Sequence, residues 1–113
     1  MNIKEQLNEL TSTLGEREFN LSDTMKVLSY NINTYWSWGV SQRVNFQNKG
    51  LGLKVSGHHH KGWVLITLSY MDTYSVHIVS NKGEVLETID EVYFDMLVDI
   101  IDRRIERIKD YVR

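Results

Sequence analysis

The chain has 113 residues, 42% of them hydrophobic and 25% charged, which is typical of one globular domain and leaves no room for a second core. It contains no cysteine, so disulfides, thiolate nucleophiles and cysteine-ligated zinc are excluded and a cytoplasmic location is expected. The net charge is only −2, and residues 1–15 lack the continuous apolar stretch of a signal peptide or a membrane span. We therefore predict a single domain over residues 1–113 that does not engage a membrane.

Two helices are predicted at the amino-terminal end. Apolar residues first recur every three to four positions, as they do on one face of a helix: Ile3, Leu7, Leu10 and Leu14. This pattern predicts a helix over about residues 2–14. A weaker pattern of the same kind follows: Leu21, Met25, Leu28 and Ile32. It predicts a second helix over about residues 22–33, with Asn20 or Ser22 as its N-cap.

The apolar period then changes from about four to two, which predicts β-strands. Tryptophan, valine and phenylalanine occupy even positions between 36 and 46, so the first strand is predicted over about residues 35–47. Asn48-Lys49-Gly50 and Asn81-Lys82-Gly83 each suit a hairpin turn with glycine in the left-handed conformation. Further apolar runs predict strands at about 51–56, 63–70, 74–80 and 84–88, and the five strands together form an antiparallel meander.

The last predicted element is a long helix packed on the sheet. Thr88, followed three residues later by Glu91, has the spacing of a capping box. An apolar stripe then continues for about six turns: Phe94, Leu97, Ile101, Ile105, Ile108 and Val112. These features predict a helix over about residues 89–112. Because helices and strands are segregated along the chain, the predicted fold class is α+β.

The length of this helix predicts self-association. It would measure roughly 33 Å, whereas strands of six to eight residues span only roughly 20 to 27 Å. Its apolar stripe would continue past the sheet at Ile105, Ile108 and Val112, where it would need cover. A symmetric dimer is the commonest way to supply that cover, so we predict a homodimer with these residues at or near the interface.

The run His58-His59-His60 is the most conspicuous candidate for a metal site, because His58 and His60 would point the same way on an extended backbone. A catalytic zinc needs a third protein ligand, and the only other histidine, His77, is predicted to lie roughly 20 Å away. We interpret the run as an exposed loop, and a metal-dependent enzyme is a distant alternative. No serine lies in a Gly-x-Ser-x-Gly motif and no glycine run suits a phosphate loop, so we expect no cofactor and no catalysis.

The middle of the chain is its basic part, since residues 24–71 contain no aspartate or glutamate. Arg43, Lys49, Lys54 and Lys61 alternate there with aromatic side chains, and cations beside aromatic platforms are what single-stranded nucleic acid binding uses. The aromatic residues of the first predicted strand share its apolar face, however, where they are more simply explained as core. A nucleic-acid-binding regulator is therefore the alternative function, and it is not favoured.

Residues Lys61 to Glu106, KGWVLITLSYMDTYSVHIVSNKGEVLETIDEVYFDMLVDIIDRRIE, resemble small uncharacterised proteins carried by bacterial prophages and mobile elements. The resemblance implies a small accessory or regulatory protein and brings no activity or site residue with it. Together with the predicted dimer, it favours a non-catalytic interaction module that acts by binding a protein partner whose identity the sequence does not reveal.

Overall fold

A five-stranded antiparallel sheet forms the centre of the protein. The computed structural model describes residues 2–30, 32–57 and 59–105. Neighbours along the chain are also neighbours in the sheet, in the order β1 Gln42–Phe46, β2 Gly50–Ser56, β3 Lys61–Leu68, β4 Tyr74–Val79 and β5 Val85–Val92. This arrangement confirms the predicted meander and the α+β class.

The described chain also forms helices α1 Ile3–Leu14, α2 Leu21–Ser29, α3 Ile32–Ser37 and α4 Leu97–Ile105. Asparagine caps the first two, as the side chain of Asn2 accepts a hydrogen bond from the backbone N–H of Glu5 at 2.9 Å. The side chain of Asn20 accepts one from the backbone N–H of Asp23 at 3.2 Å. Along the described residues, no helix combines the length and the apolar character needed to cross a lipid bilayer.

Helices cover both faces of the sheet. On one face, the apolar stripe of α1 packs with Trp63 and Leu65 of β3. On the other face, α2, α3 and α4 pack with Val64 and Ile66 of the same strand. Successive strand residues point to opposite faces, so β3 is buried on both sides along most of its length.

Both predicted hairpin turns form, but only one uses its glycine as predicted. Gly83, between β4 and β5, has a φ of +88°. Between β1 and β2, the left-handed residues are instead Gln47 and Asn48, with φ values of 60° and 56°, as both central positions of a type I′ turn require. Gly50 begins β2, and a Cβ there would meet the Thr11 side chain at 2.8 Å. Glycine at this position therefore allows α1 to approach the sheet closely.

The strand predicted over residues 35–47 is wrong in its first part, because Ile32–Ser37 forms α3 and the strand is confined to the second half. Tyr35 and Trp38 are three residues apart, which places their rings on one side of a helical turn, 5.7 Å apart in an edge-to-face contact. Gly39 then ends the turn with a φ of +63°. A short alternating run fits a helical turn as well as a strand, and burial of these two rings in the core decides between them.

The long helix predicted over residues 89–112 is also wrong, because α4 begins at Leu97 and is short within the described residues. The chain as far as Val92 continues β5 and pairs with β4. The predicted capping box does not form, since the hydroxyl of Thr88 lies 3.1 Å from Nδ1 of His77 and caps no helix. Pairing with β4 satisfies the backbone hydrogen-bonding groups of this segment, and this outweighs the helical spacing of its apolar residues.

Ile105, which was predicted at or near an oligomer interface, is fully buried within its own chain. It packs against Gly57, which follows β2, and its carbonyl oxygen accepts a hydrogen bond from the backbone N–H of His59 at 2.6 Å. Ile108 and Val112, the other two residues of that prediction, lie outside the described residues. Ile105 therefore belongs to the core and offers no surface to a partner.

Candidate interaction surface

The four cations predicted to contact nucleic acid lie on different parts of the molecule. Arg43 lies on the sheet face that α2, α3 and α4 cover, whereas Lys54 and Lys61 lie on the face that α1 covers. Lys49 lies in the turn between β1 and β2. The structure does not join these residues into one basic surface, and nucleic acid binding stays a prediction.

The histidine loop between β2 and β3 is described except for His58. Nε2 of His60 lies 3.1 Å from the carbonyl oxygen of Val79 and 3.3 Å from that of Trp63, so this nitrogen donates to the sheet backbone. Among the described residues, no three histidine, cysteine or carboxylate side chains are grouped so as to hold a metal ion. Nε2 of His60 is thus engaged in hydrogen bonds within the fold.

His77 on β4 is buried beneath the α1 face of the sheet. Its two ring nitrogens each lie 3.1 Å from a threonine hydroxyl, Nε2 from that of Thr67 and Nδ1 from that of Thr88. Burial lowers the pKa of the imidazole below the usual histidine value, and the negative charge of Asp90 partly raises it. The ring therefore ties three neighbouring strands together in its neutral form.

The lowered pKa of His77 predicts that the protein loses stability at mildly acidic pH. Below about pH 6.5, the unfolded chain binds a proton at this histidine that the folded chain does not bind, so the free energy of unfolding falls as the pH falls towards the lowered folded-state value. His77→Gln keeps a polar side chain but removes this proton site. Thermal melts at about pH 7.5 and 5.5 should show a smaller acid-induced loss in His77→Gln than in the parent.

The matched control for this prediction is His59→Gln, which makes the same chemical change at an exposed histidine. Equal acid-induced losses in the parent and in His77→Gln would contradict the assignment of a lowered pKa to His77.

A groove of about 520 Å³ lies between α2 and the segment that leads into α4. We call it the α2–α4 groove. Six residues line it, and most of them are apolar or aromatic: Lys26, Val27, Tyr30, Phe94, Asp95 and Val98. Two of these side chains project into solvent, since Tyr30 is 92% exposed and Phe94 is 66% exposed. Val27 and Val98 pack against the core beneath. The aromatic rings therefore stand at a groove whose floor is continuous with the hydrophobic core.

Scattered apolar side chains are normal on protein surfaces, but a contiguous exposed set is typical of a binding site. Tyr93 and Met96, which are close in sequence to Phe94, are also exposed. Sequence reasoning missed this surface because it placed these residues in the long helix over about residues 89–112 that packs on the sheet. The local sequence carries no signal for the surface, because the helical spacing includes Phe94 and the extension of β5 to Val92 depends on pairing with β4.

Comparison of the chain with protein-family models, with curated proteins and with solved structures gives no match. The groove and the chemistry of its lining residues are therefore the basis on which function is inferred.

Proposed function

We propose that this protein is a non-catalytic interaction module that forms a homodimer through the α2–α4 groove. The observation that carries the proposal is the exposure of Tyr30 and Phe94 at one apolar groove. Aromatic side chains are enriched at the energetic centres of protein interfaces, because they bury a large area with few rotatable bonds. Burial of one such ring at an interface contributes about 1.5 to 3 kcal/mol to the free energy of association.

The charged residues of the groove favour a second copy of this chain as the occupant. Lys26 and Asp95 are the two charged residues of its lining, one basic and one acidic. In a dimer with two-fold symmetry, one surface patch faces the same patch of the partner. Lys26 of each chain can then pair with the partner's Asp95, while the aromatic rings meet near the axis. A patch with an apolar centre and one charge of each sign is in this way complementary to itself.

A structural role for the buried histidine of β4 supports the non-catalytic part of the proposal. Both ring nitrogens of His77 contact threonine hydroxyls, and its ring is shielded from solvent. A general base must reach the proton that it abstracts from a substrate, and this ring is already engaged within the sheet. Tyr30 and Phe94, by contrast, are exposed to solvent at the α2–α4 groove.

Phe94→Lys tests the proposal, since it places a charge where the proposed dimer requires an apolar ring. Sedimentation equilibrium should give twice the mass of one chain for the parent, and a dissociation constant raised at least about tenfold for the variant. The matched control is Leu86→Lys, because Leu86 is 60% exposed on β5 and does not line the groove. A parent protein of single-chain mass at high micromolar concentration, or equal effects of the two substitutions, would refute the proposal.

A further inference from the structure

A second concave site lies on the other side of α2, among α2, α3 and the first two strands. Its volume is about 600 Å³, which falls within the range of about 300 to 1,000 Å³ typical of small-molecule sites. Apolar and aromatic side chains form much of its wall: Leu21, Met25, Ile32, Tyr35, Trp36 and Leu51. We call this site the α2–α3 cavity. Its shape and lining suit the apolar body of a small ligand.

The charges of the α2–α3 cavity have one sign. Lys26 and Arg43 line it, and no aspartate or glutamate of the described residues does so. The guanidinium of Arg43 can donate two parallel hydrogen bonds to a carboxylate, a geometry that fixes an anion more firmly than a point charge does. A carboxylate would gain more from these two cations than an uncharged head group would, because its hydrogen bonds with them are charge-assisted on both sides.

Tyr35 supplies an independent observation at the same cavity. It lines the cavity and is only 6% exposed, and its hydroxyl is buried without a hydrogen-bond partner among the described residues. A buried hydroxyl without a partner lowers stability, so such groups are uncommon in native proteins and call for an explanation. Because this hydroxyl has almost no accessible surface in the free protein, a polar atom of a bound ligand would provide the missing partner once the Tyr35 ring moves towards the cavity.

We infer that the α2–α3 cavity binds a small amphipathic monoanion, with its apolar body against Met25, Ile32 and Trp36 and its carboxylate at Arg43. This site is separate from the proposed dimer surface, although Lys26 lines both. Charge complementarity identifies the head group, and the apolar wall identifies the body. The binding of such a ligand would allow a small molecule to regulate the interaction module.

Octanoate, octanol and acetate separate the contributions of charge and apolar body. Trp36 reports binding, since it lines the cavity and is 68% exposed, so a ligand that covers it should shift its fluorescence to shorter wavelength. We expect octanoate to bind more tightly than octanol, and acetate to bind more weakly than octanoate. Trp36→Phe should remove the fluorescence shift but not the binding measured by calorimetry.

Two substitutions test the roles of the named residues. Arg43→Gln should weaken octanoate binding at least about tenfold and affect octanol binding less, as expected for the loss of the charge-assisted hydrogen bonds of the guanidinium. Lys82→Gln is the matched control, because Lys82 is an exposed cation in the turn between β4 and β5. Tyr35→Phe should weaken octanoate binding without lowering the melting temperature of the free protein, which separates a ligand contact from a structural role.

Equal affinities for octanoate and octanol would overturn the inference, as would unchanged octanoate binding in Arg43→Gln or no octanoate binding to the parent. The measurements are repeated in Phe94→Lys, where unchanged octanoate affinity is expected, since Phe94 does not line this cavity. Failure of the homodimer proposal is thereby distinguished from failure of the ligand site.

Discussion

Truncation of Leu97 or Ile101 to alanine is expected to lower the free energy of unfolding by about 2 to 5 kcal/mol. Both side chains lie on α4 and are fully buried in the core between α2, α3, α4 and the sheet. Each truncation removes apolar contacts and leaves a space that the surrounding side chains fill only in part. Since a typical domain is stable by only about 5 to 15 kcal/mol, either substitution should unfold a large fraction of the molecules near physiological temperature.

Leu86→Ala is the matched control, because it makes the same chemical change at a side chain that is largely exposed on β5. It should change the free energy of unfolding by less than about 0.5 kcal/mol. Urea denaturation at one protein concentration measures all three variants under conditions that keep any dimerisation constant. Equal losses in Leu97→Ala and Leu86→Ala would show that α4 does not seal the core.

Trp38→Ala is expected to cost about 3 to 5 kcal/mol, whereas Trp36→Ala should cost less than about 0.5 kcal/mol. Trp38 is fully buried, and its Nε1–H donates to a carboxylate oxygen of Asp102 on α4 at 3.0 Å. Trp38→Ala therefore removes both a large apolar contact and the hydrogen bond that links the end of α3 to α4. Trp36 is mostly exposed, so alanine there removes little buried surface.

This pair of substitutions also distinguishes the observed helix from the strand that the sequence predicted. In a strand, Trp36 and Trp38 would point to the same face and their losses would cost similar amounts. In the observed arrangement, the two side chains differ in burial because residues two positions apart on a helical turn point in different directions. Similar losses of stability in Trp36→Ala and Trp38→Ala, measured by denaturant unfolding, would contradict the assignment of α3.

The elements that could be predicted from the sequence are those for which the local residue pattern and the tertiary contacts favour the same structure. The spacing of Leu7 with its neighbours is helical and strand pairing competes nowhere nearby, so α1 was predicted closely. The central strands were also predicted, because their runs of β-branched and large apolar residues lie between turn signals such as the one at Gly83.

The errors arose where local spacing and tertiary contacts disagree. Residues 89–92 have helical spacing, but pairing with β4 determines their structure. Residues 35–38 alternate as a strand would, but the contact between Tyr35 and Trp38 and their burial require a helical turn. Neither the pairing with β4 nor the burial of the two rings in the core is visible to a pattern that spans a few residues.

The candidate site was beyond the reach of sequence patterns for the same reason. Tyr30 directly follows α2 and Phe94 precedes α4, so the α2–α4 groove joins residues more than sixty positions apart in the chain. The cations that sequence analysis singled out are distributed over both faces of the sheet, because alternate strand residues point in opposite directions. Of these four cations, Arg43 lines the α2–α3 cavity.

A charge exchange across the proposed interface tests self-association through the α2–α4 groove most directly. Lys26→Glu and Asp95→Lys are measured singly and together by sedimentation equilibrium against the parent. In the two-fold arrangement, each single substitution places like charges opposite each other, whereas the double variant restores opposite charges. The predicted result is weaker dimerisation in each single variant and recovery of most of the affinity in the double variant. A double variant whose dimerisation affinity is no higher than that of the single variant with the lower affinity would contradict the proposal.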